Sequence, residues 1–303
     1  MTDISTRLTK VKLKNPTILA AGILGSTAAS LKRIADSGAG AVTTKSIGPV
    51  RSKGNENPVI VEVPNGLINA IGLPSPNPEE AIEELRILLR RVKIPVIASI
   101  YGRTIQEFGE VSELVSSVKP AIIEVNISCP NIRDEKPFGI DPESSGRITE
   151  IVKDSTNIPV AVKLSPNVAD IRAIARAVED SGADIISAVN SLGPGMVIDI
   201  ETANPILSNI FGGVSGNVIK PISVRCVYEI YEEVEIPIIG IGGISSGKDA
   251  VEMLMAGASA VGIGTAIRSY GIGVFEKISN EIKTFMKSHN YSKLNDIIGI
   301  AHK

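Results

Sequence analysis

Short apolar runs rich in valine and isoleucine recur along this chain, and each follows either Gly-Ala or a residue before proline. The instances are SGAGAVTTKS, VKIPVIASIYG, STNIPVAVKLS, SGADIISAVNS, EIPIIGIGG and AGASAVGIGT. Glycine in the left-handed conformation closes a helix and proline cannot continue one, so each junction reads as a helix end followed by a strand. The runs predict strands near 17–21, 40–45, 95–101, 121–127, 159–164, 184–190, 236–241 and 259–263. Between them, 79–92, 142–156, 167–181 and 247–256 carry apolar residues at helical spacing. Ahead of the first unit, residues 4–14 alternate, with Leu8, Val11 and Leu13 set among lysines, and predict a short hairpin.

Eight strands, each followed by a helix, fit a closed (β/α)8 TIM barrel better than an open sheet. No Pro/Gly/Ser linker interrupts the series, so 1–303 is expected to form one domain. Two connections, 46–78 and 191–216, exceed the usual few residues, and long ordered loops in an α/β unit are commonly functional. Both leave the C-terminal face of the expected barrel.

The stretch Glu124-Val125-Asn126-Ile127-Ser128-Cys129-Pro130-Asn131 stands out. Period-two alternation puts Ile123, Val125 and Ile127 on one face and Glu124, Asn126 and Ser128 on the other. A strand buried on both sides should be apolar on both, so the polar face lines a site. Lys45, Asn126, Lys163 and Asn190 each interrupt an apolar run at its end. A lone lysine there can simply reach water along its own stem; four such residues on four strands point to a shared ligand.

The last two strands end in Gly240, Gly242, Gly243, then Gly262, Gly264 and Thr265. Bare N–H groups ahead of helix N-termini suit a phosphate, and in barrels the loops after strands 7 and 8 commonly hold one. Tight strand–helix packing is the competing explanation. The segment Gly242–Asp249 has P-loop spacing but ends in a carboxylate, which would repel the phosphates it should help bind. No G-x-G-x-x-G occurs, so a Rossmann nicotinamide site is not expected.

Composition narrows the chemistry. The only histidines are His289 and His302 at the far end, so acid–base work in the body must run without imidazole. Two cysteines cannot supply a four-thiolate cluster. Cys226 lies in an apolar helical stretch, whereas Cys129 sits in a turn between polar residues and is the leading candidate base, its thiol being tunable by nearby cations. A net charge of −2, 3% aromatics and no Trp offer nothing to nucleic acid. No run approaches the ~20 apolar residues of a membrane span, and the opening residues carry no signal-peptide pattern, so a cytoplasmic location is expected.

The motifs NAIGLPSPN (69–77), EVNISCPN (124–131), VKLSPNV (162–168), AVNS (188–191), GGVSG (212–216), IIGIGGI (238–244) and GASAVGIGTA (257–266) together resemble the class 1 dihydroorotate dehydrogenases, most closely the class 1B catalytic subunit. The resemblance implies flavin mononucleotide (FMN) against Ala21, Gly22, Lys45, Ser46, Ser99, Asn126, Lys163 and Val189. Its phosphate would lie on Gly216, Gly242, Gly243, Gly264 and Thr265. It further implies a pyrimidine held by Lys45, Asn69, Ala70, Asn126, Asn131, Asn190 and Ser191, with Ile71, Gly72 and Leu73 near its carboxylate. Cys129 would take the C5 proton while a hydride leaves C6 for flavin N5, Lys163 would favour the reduced flavin, and 130–141 would act as a lid.

Four positions depart from the family pattern: Ser99 stands for a usual Asn, Ala21 for a common Ser, Ser46 for Ala or Thr, and Ser191 for Thr. The resemblance also implies an electron-transfer subunit carrying FAD and a 2Fe-2S cluster that passes electrons to NAD, with a homodimer of this chain inside a heterotetramer. Two other readings compete: a flavin-free barrel isomerase or lyase acting on a phosphorylated small molecule, and a non-catalytic binding subunit.

Overall fold

Alternation within each short strand sends its residues two ways, and that division builds the protein. The computed structural model describes residues 2–128 and 138–303. Eight parallel strands, Thr17–Leu19, Ala41–Thr43, Val96–Ile100, Ile122–Asn126, Val160–Leu164, Ile185–Ala188, Ile238–Ile241 and Ala260–Ile263, close into a barrel in chain order. Closure is made by the eighth strand pairing with the first, Val261 opposite Thr17 and Ile263 opposite Leu19. All eight expected strands are found, and the expected N-terminal hairpin forms from Thr6–Leu8 and Val11–Leu13.

Outward residues such as Ile123, Val125, Val160, Val162 and Ile186 pack under the surrounding helices in one large core. Inward residues Ile18, Ala41, Ile97, Ile122, Ala161, Ile185, Ile239 and Ala260 form a second core inside the ring. Leu8 and Leu13 of the hairpin, both fully buried, belong to that inner core and plug it from the N-terminal end. Emptying either position to Ala should cost about 2–5 kcal/mol.

The inner face changes character along the axis. Two residues above Ile97 comes Ser99, above Ile122 come Glu124 and then Asn126, above Ala161 comes Lys163, and above Ile185 comes Ser187. An apolar floor thus gives way to a polar mouth at the C-terminal ends, where α/β barrels carry their chemistry. Lys45 and Asn190 sit just beyond the ladders, because the second and sixth strands end at Thr43 and Ala188.

Five of the helices begin where a side chain caps them, at Thr27, Thr104, Asp141, Asp170 and Ser246. The segment expected as a helix from 167 starts at Ile171, because the Asp170 carboxylate accepts from Arg172 N and sets the first turn there. The expected helices 79–92, 142–156 and 247–256 are Pro78–Arg91, Pro142–Ser155 and Gly247–Met255.

The two long connections are more than loops. Leu192–Gly195 and Gly212–Ser215 from one pair with Gly66–Asn69 and Ile60–Val63 from the other in a four-stranded antiparallel sheet. This sheet stands over the barrel mouth and is tied to the helix Ala266–Tyr270 by an exposed Arg268–Glu62 ion pair. Among the described residues, no helix is long and apolar enough to cross a membrane.

Candidate active site

A cavity of about 1510 Å³ opens between the strand ends and the overlying sheet. Ligand sites of drug size usually run from about 300 to 1,000 Å³, so this one has room for a large cofactor and a small substrate together. Its walls include every described residue that the resemblance assigned to cofactor or substrate, whereas Gly240 and Glu124, also singled out from the sequence, do not line it. Ala21, Gly22, Lys45, Ser46, Ser99, Asn126, Lys163, Val189 and Asn190 line it from the barrel, and Asn69, Ala70, Ile71, Gly72, Leu73 and Ser191 line it from the long connections. Gly216, Gly242, Gly243, Gly264 and Thr265 close one end. Cys129 and Asn131 lie outside the described residues, as does most of the expected lid; Ser128 and Ile140, on either side of that segment, line the cavity.

The glycine end is a set of unused donors. Among the described residues, the backbone N–H groups of Gly216, Gly242, Gly243, Gly264 and Thr265 find no acceptor. At Gly243 the backbone has φ +75°, and a Cβ there would lie 2.5 Å from Lys220 Cβ. Only glycine serves at that turn. Thr265 Oγ1 donates to Ser215 Oγ at 3.0 Å, which links this end to the overlying sheet. Gly240, by contrast, belongs to packing: its missing side chain makes space for Met253 and Ala258 on the helix side.

The P-loop-like carboxylate also has a structural explanation. Asp249 closes a capping box on the helix Gly247–Met255, with Ser246 as its partner. Its Oδ2 accepts from the backbone N–H and hydroxyl of both Ser245 and Ser246, and Lys220 Nζ donates to Oδ1 at 2.9 Å. Burial alone would raise this carboxyl, but the bonds from Lys220, Ser246 and Ser245 hold it below the ordinary carboxylate value.

The opposite end presents amides and cations. Asn190 Nδ2 donates to Asn126 Oδ1 at 3.1 Å, and Asn190 Oδ1 accepts from Ser191 N at 2.9 Å. Among the described residues this leaves the Asn126 amide nitrogen without a partner. Asn69 Nδ2 donates to Gly213 O at 3.2 Å, and among the described residues its own side-chain carbonyl has no donor. Three consecutive N–H groups, of Ile71, Gly72 and Leu73, find no acceptor among the described residues. Lys45 Nζ has no partner there either, and burial holds its ammonium below the usual lysine range. A planar ligand bearing amides and one carboxylate matches this inventory of donors and acceptors.

Two departures from the family pattern turn out to be neighbours. Ser46 Oγ and Ser99 Oγ lie 2.8 Å apart, both buried, and Ser99 N donates to Thr44 Oγ1 at 3.0 Å. Two further residues were not singled out from the sequence: Ser187, whose Oγ donates to Glu124 Oε2 at 2.9 Å beneath the cavity-lining Lys163, and Asn167, whose Oδ1 accepts from Gly193 N at 2.9 Å beside Ser191. The signal for Ser187 was present, since it shares the inward parity of Ile185.

A profile of the dihydroorotate dehydrogenase family matches residues 3–286. Among relatives, the "Dihydroorotate dehydrogenase B (NAD(+)), catalytic subunit" of Methanosarcina mazei is 48% identical over 98% of this chain and 94% of its own length. The proteins of that name from Methanothermobacter thermautotrophicus and Pyrococcus abyssi are 48% and 47% identical, over 99% and 97% of this chain and 98% and 97% of theirs. This family is one of flavoproteins, so a flavin is the cofactor to expect, and the unused N–H groups and the size of the cavity fit one. The name "catalytic subunit" implies a second subunit in those relatives. From its barrel, its cavity and its likeness over nearly the full length, this chain belongs to the dihydroorotate dehydrogenase family.

Proposed function

We infer that this chain oxidises dihydroorotate to orotate for pyrimidine biosynthesis, with FMN as its flavin and Cys129 as its base. The observation that carries this reading is that all the described residues assigned to cofactor and substrate line one cavity. FMN, when bound, accepts a hydride at its N5 position. The five unused N–H groups from Gly216 to Thr265 would hold its phosphate, and Lys163, Asn126, Lys45 and the Ser46–Ser99 pair would contact its ring.

The substrate's carboxylate would sit on the N–H groups of Ile71, Gly72 and Leu73, with the Lys45 ammonium opposing its charge. Asn69, Asn126, Asn190 and Ser191 would read its ring amides and so hold the ring in one orientation. Cys129 takes the C5 proton, made acidic by the adjacent carbonyl, and the electron pair left behind forms the C5–C6 double bond as hydride departs from C6. The flavin-free isomerase reading used the same glycine end; membership of a flavoprotein family disfavours it.

We further read 1–303 as one domain that works in the cytoplasm as a homodimer, completed by a subunit carrying FAD and a 2Fe-2S cluster that delivers electrons to NAD. The names of the relatives, which specify NAD and a catalytic subunit, support NAD as the acceptor and the existence of a second subunit. The test is direct. Purified protein should bind FMN and turn yellow, and dihydroorotate should bleach it without oxygen; a protein that takes up no FMN ends the reading.

A further inference from the structure

Glu124 is a carboxylate enclosed by the barrel and only 2% exposed. Its Oε2 accepts from Ser187 Oγ at 2.9 Å, while its Oε1 is buried with no hydrogen-bond partner. The charged atom facing that oxygen is Lys163 Nζ, 4.0 Å away and itself 8% exposed at the side chain. Lys163 sits between Asn126 and Ser187 across the ladder, and its side chain lines the cavity from below, whereas Glu124 lies one layer deeper and does not.

This arrangement is unusual for a structural ion pair. A buried carboxylate is costly unless paired and hydrogen-bonded, yet this pair stands beyond hydrogen-bond distance. The ammonium is attracted downward without being locked, so its protons stay available to whatever lies in the cavity.

We propose that Glu124 is a positioning residue for Lys163, and that its charge sets how strongly the bound flavin holds electrons. The proposal rests on the flavin reading of the cavity given above. Charges interact over long distances where water is excluded. An ammonium alone beneath the ring would favour the extra negative charge that the flavin carries once reduced. The carboxylate one layer below offsets part of that field, which keeps the potential low enough for electrons to move on to an acceptor. A ring that held them too tightly would stall after one turnover.

Glu124→Gln tests this, because it keeps the shape and the Ser187 bond but removes the charge. FMN-loaded wild type and variant are titrated for the two-electron potential of the flavin, alongside FMN affinity and Tm. The expected result is a potential raised by at least about 30 mV, a tenfold change in the reduction equilibrium, with FMN still bound. Glu124→Asp keeps the charge but draws it away from Lys163, and should fall between the two. If the Glu124→Gln chain does not fold, a threefold rise in that equilibrium for Glu124→Asp is the required result. Equal potentials in every folded chain, whatever happens to Tm, overturn the proposal and leave the flavin reading standing. A wild type without FMN overturns both.

Discussion

Lys45 faces the cavity with no partner among the described residues, and the desolvation that lowers its ammonium gives it a pH signature. Holding a carboxylate requires the protonated form. Orotate affinity should therefore be full at neutral pH and weaken as pH climbs through a value below the ordinary lysine range, before any unperturbed lysine loses its proton. Measuring orotate Kd against pH checks this, and Lys45→Met should weaken binding and abolish the break. Cys129→Ala should slow flavin reduction by dihydroorotate by orders of magnitude at neutral pH while FMN stays bound, as single-turnover absorbance would read; an unchanged rate removes the thiol from the mechanism. Which single residues face the site was readable from the chain, because a period of two assigns each side chain to one face. What Glu124 meets was not readable, because Ser187 lies 63 positions away and only the ladder register brings them together.

At the scale of the element, the turns after the last two strands separate strain from space. Gly243→Ala asks an L-residue to hold φ +75° against Lys220, and should cost about 1–3 kcal/mol, seen as a lower Tm. Gly264→Ala meets only Ala20 Cβ at 3.8 Å and should leave Tm close to wild type. The helix Gly247–Met255 depends on Asp249, so Asp249→Asn should destabilise by about 1–2 kcal/mol at neutral pH. The folded carboxyl is depressed, so its contribution is present above the unfolded value of 3.8 and is lost as pH falls through the lower folded one. The gap in Tm between the two chains should accordingly close in strong acid. The barrel strands were legible because valine and isoleucine announce them. The strands of the overlying sheet were not, since Gly66–Asn69 and Gly212–Ser215 carry three glycines between them and little β-branching.

At the scale of the whole molecule, electrons must leave by way of something else. The chain has two cysteines in all, too few for a cluster of four thiolates, and no dinucleotide motif. The isolated protein should pass electrons from dihydroorotate to an artificial dye yet leave NAD unreduced, and adding an electron-transfer subunit should restore NADH formation. NAD reduction by the isolated chain would refute the division of labour.

The sheet above the cavity has a consequence for how the protein matures. Its strands come from segments on either side of residue 130, brought side by side only when the second and sixth barrel strands have found their places. Contacts between such distant stretches form late, after the chain entropy of the intervening loop has been lost. The pocket is therefore a product of the finished ring rather than of any one part of it. Uptake of the coloured ligand would be an optical clock for the last event of folding, lagging behind the appearance of helix during renaturation.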